Sequence, residues 1–224
     1  MVAVVVLVLV LLAAPLRPAL AQSLFLLRDV EIETTLRELS DPIFRAAGLD
    51  PSSIRIYIVN DNSLNAFVAG GQNLFLNSGL LITTETPDQL EGVIAHETGH
   101  IAGGHLSRAQ VAMQNAGSQA LLGTLLGLAA AAMGAPQVGI AAMAGGLTVA
   151  QGGFLKFSRG QEQAADQAAV RLLGDLGQSP EGLLQFFRIL DTDDLRVSGR
   201  ADPWLMTHPL TSSRIEFLQN QLAK

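Results

Sequence analysis

The sequence predicts a mainly helical α+β domain, with a small antiparallel sheet beside one central helix and an apolar helical hairpin later in the chain. Three observations predict it. Residues 53–76 hold short apolar runs separated by turn residues, the pattern of neighbouring strands. Thr86-Pro87-Asp88-Gln89 is a strong helix start, and an apolar run with helical character follows it. From Ala109 to Leu155 there is no charged residue, and the stretch is rich in Ala, Gly and Leu with Pro136 near its middle.

The chain has 224 residues, enough for one domain with a substantial core. Apolar residues make up 49% and charged residues only 15%, a balance that points to a membrane nearby. A formal net charge of −6 disfavours a nucleic-acid partner. There is no cysteine, so disulfides and thiolate metal sites are excluded, and a zinc site would have to use His and carboxylate.

In chain order, Val2 to Ala14 is a continuous apolar run broken by Pro15-Leu16-Arg17-Pro18, and Ala19-Leu20-Ala21 supplies small residues before Gln22. This reads as a secretory signal peptide over 1–21, although no Lys or Arg precedes the run, leaving a domain over 22–224. Residues 23–47 have roughly helical apolar spacing, interrupted by Pro42 and ended by Gly48. Ile54, Ile56 and Ile58 alternate with Arg55 and Tyr57 as in a half-buried strand. Two more strands are expected over 64–68 and 73–76, after the turn residues 60–63 and Gly70-Gly71. An edge of such a sheet can hold an extended peptide through main-chain groups.

The charge-free stretch reads as two helical arms, about 118–134 and 137–151, within an insertion of about 116–153. It could cross a membrane, touch one or cover a cleft, or be plain core. Each leucine contributes only about −0.3 to −0.6 kcal/mol to insertion, and each arm is short against the roughly 20 residues of a span. A mobile apolar cover near the cleft is therefore preferred, with membrane-surface contact expected through the same residues. Beyond it, helices are expected around 162–173, from Ser179-Pro180-Glu181 onward, and over 212–222. A polar loop over 191–202 and a proline-bracketed turn over 203–209 should separate the last two.

Gly92 to His100 reads H-E-x-x-H inside the central helix. His96 and His100 then lie one turn apart on one face and can reach one metal ion together. Glu97 projects from the neighbouring face, where a carboxylate can act as base on a water without ligating the metal. His105, five residues past His100, is expected off that face, as a hydrogen-bonding or surface residue. Glu162 is the best candidate for a third ligand, at the start of its own helix. Asp166, one turn on, could accept the free N–H of a ligand histidine and fix its tautomer. His208 could donate to the oxyanion of a tetrahedral intermediate or occupy the open metal position in a resting state.

The segments HETGH, EQAAD and THPLTSSRI, with Asn65-Ala66-Phe67, Gly70-Gly71 and Ser78-Gly79-Leu80-Leu81, together resemble the M48 family of zinc metallopeptidases, of the gluzincin type. The resemblance spans about 60–218. It implies a zincin-like metalloprotease fold and one zinc ion held by His96, His100 and Glu162. It also implies Glu97 as catalytic base, Asp166 supporting a ligand, and His208 near the metal. With the leader, the chain resembles the BepA-like periplasmic branch, which degrades misassembled envelope proteins near the outer membrane. Members of that branch often continue into a helical repeat domain, and no second domain is expected here. The expectation is a periplasmic endopeptidase, peripheral to a membrane, acting on unfolded or misassembled proteins. The alternatives are a membrane-embedded metallopeptidase or a chaperone-like binding factor with a shut site.

Overall fold

A computed structural model describes residues 25–196, 208 and 212–223, with 192–196 described by backbone alone. The expected leader and, apart from His208, the proline-bracketed turn lie outside these residues. The elements are β1 (Leu26–Leu27), α1 (Val30–Ala46), β2 (Arg55–Val59), β3 (Ala66–Ala69), β4 (Asn73–Asn77), α2 (Ser78–Thr83), α3 (Pro87–Ala102), α4 (His105–Ala132), α5 (Pro136–Asp175), α6 (Glu181–Arg196) and α7 (Ser212–Leu222). The architecture is mainly helical with one small sheet.

Asp29 starts α1 by accepting from the backbone N–H groups of Glu31 and Ile32, both at 3.0 Å. Pro42, expected to interrupt this helix, lies inside it. A proline there costs about 3 kcal/mol. The full burial of Ile43 and Phe44 just beyond it offsets that, at about 1.5–3 kcal/mol per side chain.

The sheet has strand order β1-β2-β4-β3 and is mixed rather than purely antiparallel. β3 folds back on β4 through a turn in which Gly70 and Gly71 take positive φ. β2 and β4 run parallel, with Ile56 opposite Leu74 and Ile58 opposite Leu76. The reason lies in the connection after β2. Asp61 carbonyl oxygen accepts from the Gly79 N–H at 2.8 Å and from the Ser78 hydroxyl at 2.9 Å. That ties the turn residues to the start of α2, so the chain crosses over instead of reversing beside β2. A side chain on Gly79 would collide with the Asn62 carbonyl. Tyr57, Phe75 and Phe67 stack across three strands on one face, and Ile58, Leu74, Leu76 and Ala66 bury the other.

α3 is buried nearly all round, from Gln89 to Ile101. At its start Gln89 Oε1 accepts from the Glu85 N–H at 2.9 Å, and its Nε2 donates to Gln185 of α6 at 3.2 Å. Thr86 makes no side-chain cap. Glycines set how closely the neighbours approach. A Cβ on Gly92 would lie 2.7 Å from the Leu183 backbone nitrogen, and one on Gly99 would lie 3.0 Å from the Ala165 carbonyl oxygen. α6 runs on to Arg196, past the expected loop start at Asp191, because 191–196 contain neither Gly nor Pro to stop it.

α4 and α5 form the hairpin, joined at Met133-Gly134-Ala135 with Gly134 at φ 86. Both helices exceed the expected arms. α5 continues without a break from the apolar tip to Asp175, so Glu162 lies within this helix instead of opening one of its own.

Gly92→Ala tests the close packing of α3. Helix propensity alone favours alanine by about 1 kcal/mol. The clash with the Leu183 backbone should win, giving a net loss of about 1–3 kcal/mol in urea unfolding. An unchanged or raised midpoint would contradict the packing argument.

Candidate metal centre

All four histidines of the chain meet at one place, between α3, α5 and His208. His96 and His100 lie one turn apart on α3, and their Nε2 atoms are 3.1 Å from each other. Glu162 comes from α5, which Gly99 lets approach closely through Ala165 and Ala168. Its Oε2 is 3.4 Å from His96 Nε2 and its Oε1 is 3.4 Å from His100 Nε2. Zinc bonds of about 2.0–2.1 Å in a tetrahedron place donor atoms roughly 3.3–3.4 Å apart. The donor set therefore fits that ion. His208 supplies a fourth donor, and one donor atom from each of these four residues lies within 4.8 Å of the others.

Around them stands a second group of contacts. His96 Nδ1 lies 2.9 Å from Asp166 Oδ1, an ion-pair contact that leaves Nε2 to face Glu162. Arg214, on α7 and 2% exposed, donates to both oxygens of Asp166 at 2.7 and 2.8 Å and reaches Glu162 Oε2 at 3.0 Å. Its guanidinium lies 4.6 Å over the Phe187 ring of α6. His105 is buried rather than on the surface, with Nδ1 3.0 Å from His100 Nδ1. For His100 to keep Nε2 bare toward the cluster, its Nδ1 must carry the proton and donate to His105. Gly104 makes this possible. Its φ of 61 breaks the helix and turns His105 back over His100. His105 Nε2 sits where a Cβ on Gly103 would be.

These surroundings push the two glutamates in opposite directions. Burial raises the pKa of Glu97, and the nearby His208 and His96 only partly offset it. Burial acts the same way on Glu162, but hydrogen bonds from His208 and His96 overcome it and hold the carboxylate far below its usual range. His100 is kept neutral by burial and by the charge of His96. Burial also opposes charge on His96, but Asp166 and then Glu162 overcome it and raise its pKa to about 9. Asp166 is lowered: burial works against ionisation, and Arg214 and His96 outweigh it.

Among the described residues, Glu97, Glu162 and Asp166 are the buried carboxylates and Arg214 is the buried permanent cation. With His96 deprotonated, as metal ligation requires, that leaves two negative charges uncompensated, the balance a divalent ion supplies. Both Glu97 oxygens are buried without a hydrogen-bond partner, and His208 Nε2 lies 3.4 Å from Oε1. The cleft in front, of about 540 Å³, is bordered by Glu97, His100, Glu162 and His208, by Phe67 and Val68 of edge strand β3, and by Phe154 and Phe157 of α5. Of the hairpin, only its base borders this cleft. The arms from Leu121 to Val149 do not line it, so the hairpin as a whole is not the cover that composition suggested.

Sequence reasoning placed His96, Glu97, His100, Glu162, Asp166 and His208, and the fold brings all six together. It gave no role to Arg214, and none to His105 as the partner of His100. The available signal for Arg214 was its position four residues before the core residue Leu218, on the buried side of α7. Arg214→Met should cost about 3–5 kcal/mol, because it leaves Asp166 and Glu162 buried without their cation. Denaturant unfolding with chelator present measures this. A loss under about 1 kcal/mol would show that the clamp carries little.

The profile of peptidase family M48 matches residues 27–222. The beta-barrel assembly-enhancing proteases of Yersinia pestis and Escherichia coli are each 31% identical over 196 residues, covering 88% of this chain and 40% of theirs. The metalloprotease LoiP of Escherichia coli is 30% identical over 181 residues, covering 77% of this chain and 64% of its own. The chain thus spans about two fifths of the length of the first two relatives. The family match runs from Leu27 of β1 to the end of α7, and on it this chain belongs to peptidase family M48.

Proposed function

We propose that the protein is a zinc-dependent endopeptidase of the bacterial cell envelope that cleaves misfolded or misassembled envelope proteins. The observation that carries the reading is the near-tetrahedral spacing of His96 Nε2, His100 Nε2 and the Glu162 oxygens, with the buried carboxylate of Glu97, which accepts no hydrogen bond among the described residues, beside them. His96, His100 and Glu162 would hold the metal. Bound zinc supplies Lewis acidity, which acidifies water and polarises a peptide carbonyl. Glu97, raised in pKa by burial, takes a proton from the attacking water and passes it to the leaving amine. Asp166 and His105 hold the two imidazoles in the required tautomers.

Substrate selection without side-chain reading is supported by β3. It is an edge strand, pairs only with β4 among the described strands, and borders the cleft, so an extended peptide can add to it through its main chain. The envelope setting and the substrate class draw support from the relatives that are named for enhancing beta-barrel assembly. A shut resting state is a second reading favoured by one observation. His208 bridges Glu162, at 3.2 Å from Nδ1, and Glu97, at 3.4 Å from Nε2, on the face that water and substrate must use. Displaced from there, a ring N–H of His208 could donate to an oxyanion.

Casein digestion, with and without a chelator, tests the activity. Glu97→Gln should retain zinc but lose about 10²–10⁴-fold in cleavage rate. Glu162→Ala should lose zinc. Full cleavage by the first variant would remove Glu97 as base. Zinc-loaded wild-type protein that binds casein without cutting it would favour the binding-factor alternative. The raised pKa of His96 gives a further expectation. Its Nε2 must shed a proton to bind metal, so zinc uptake below about pH 9 should release about one proton. Zinc affinity should accordingly rise with pH by about tenfold per unit and level off above His96's pKa. Calorimetry in buffers of different ionisation enthalpy reads the proton count, and zinc uptake without proton release at pH 7 would contradict it.

A further inference from the structure

The α4–α5 hairpin is packed inside out. Its seam is glycine: a Cβ on Gly123 would lie 2.8 Å from Gly146 Cα, and one on Gly127 would lie 2.6 Å from the Gly139 carbonyl oxygen. Its outer surface is large and apolar. Leu122, Leu125 and Leu126 on α4, and Ile140, Leu147 and Val149 on α5, are each more than half exposed. Water-soluble hairpins bury their large apolar side chains in the seam, whereas helices in lipid place small residues there and turn leucine outward.

The polar groups follow the same logic. Between Ala120 and Ala150 the polar side chains are Thr124, Gln137 and Thr148. Both threonine hydroxyls donate back to their own helix, to the carbonyls of Ala120 and Ala144, at 2.9 Å. In the connecting turn the N–H groups of Met133, Gly134 and Ala135 are all paired, and Pro136 has none to satisfy. Toward the base, amides return at Gln114, Asn115, Gln119 and Gln151, and cations at Arg108, Lys156 and Arg159. From Thr98 to Gln161 there is no Asp or Glu, in a chain of net charge −6. The hairpin base is thus a cationic collar beneath an uncharged apolar tip, the order met on passing from anionic headgroups into acyl chains.

Length decides how far it goes. The 13 residues from Ala120 to Ala132 rise about 20 Å, against the roughly 30 Å of a hydrocarbon core. Crossing fully would drag the basal amides into hydrocarbon. We propose that the α4–α5 hairpin is a monotopic anchor that enters one leaflet of a bilayer containing anionic lipid, with Arg108, Lys156 and Arg159 at the headgroups. α5 is unbroken from tip to site, so Glu162 stands about 17 Å along the helix from Gln151. The anchor thereby sets the cleft beside the membrane surface, bordered by Phe154 and Phe157 from the same helix. This inference stands independently of the peptidase reading.

Flotation of the full chain with phosphatidylcholine vesicles, with and without phosphatidylglycerol, tests it. The protein should float with the anionic vesicles, and binding should weaken as salt rises. Leu125→Asp with Leu147→Asp changes exposed positions remote from the metal centre. This variant should keep its circular dichroism and thermal midpoint but lose at least tenfold in vesicle binding. Arg108→Gln, Lys156→Gln and Arg159→Gln together should remove the preference for phosphatidylglycerol. Because the chain has no cysteine, a single one at Met133 reports depth cleanly. It should resist a membrane-impermeant thiol reagent added outside or trapped in the lumen. Labelling from the lumen would overturn the one-leaflet arrangement. Protein that stays at the bottom of the gradient with both vesicles would overturn the anchor, and more so if it were a dimer held together by the same leucines.

Discussion

The structure depends on a buried charge imbalance, three carboxylates against one permanent cation, that a charged His96 or a bound divalent ion must offset. Glu97, Glu162 and Asp166 are all within 4% of full burial, and Arg214 is the permanent cation buried with them. Arg214 reaches Asp166 and Glu162, whereas Glu97 has His208 Nε2 beside it at 3.4 Å and accepts no hydrogen bond among the described residues. Carboxylates in such surroundings either take up protons or find a cation. Here the two glutamates divide the outcomes. Glu162, ringed by histidine and arginine donors, stays ionised, and Glu97, with no donor of its own, is the one whose pKa rises. One carboxylate suited to ligation and one suited to proton transfer thus arise from the same burial through different neighbours.

The geometry around that imbalance is made by what the helices lack. α3 has glycine where α5 and α6 cross it, and Gly182 of α6 lies where a Cβ would strike the Asp88 carbonyl. These contacts bring backbone against backbone and leave the polar face of α3 as the place where longer side chains fit. Each glycine weakens an isolated helix by about 1 kcal/mol. The burial of Val93, Ile94 and Ala95 on all sides of α3 offsets that cost.

How much of this was legible in the sequence depended on range. His96, Glu97 and His100 were readable because i, i+4 spacing on a helix fixes their relation locally. Glu162 and Asp166 were readable as one face of a helix, though not the continuity of that helix with the apolar arm, since restored polarity at Phe157-Ser158-Arg159 does not end a helix without Pro. Arg214 was not readable as a clamp. Its partner Asp166 is 48 residues away, and no local pattern encodes such a contact. For His105 the hydrogen-bonding alternative holds and the surface one does not; its partner His100 was not readable, because simple helical spacing does not carry past Gly104, where the backbone turns left-handed. The mixed sheet escaped for a similar reason. Alternation identifies strands but not their neighbours, and the tie between Asp61 and Gly79 that sends the chain across lies in the connection, not in the strands.

The same helix that carries Glu162 also carries the exposed apolar arm, and this joins two problems usually solved separately. An apolar tip on a flexible linker would leave the cleft free to tumble relative to whatever the tip enters. On an unbroken α5, the tip, the collar residues Lys156 and Arg159, the cleft residues Phe154 and Phe157, and Glu162 keep fixed spacing along one rod. α4 reinforces the rod through the glycine seam, and the Gln161 side chain ties it at the base by donating to the His105 carbonyl at 3.1 Å. His105 in turn holds His100. A displacement of the hairpin base is therefore transmitted through two contacts to an imidazole of the metal set. The chain's low charge is consistent with this division. Its 34 charged residues are absent from 109–155, so solubility rests on the remainder, and the exposed apolar surface is concentrated where α5 leaves the core.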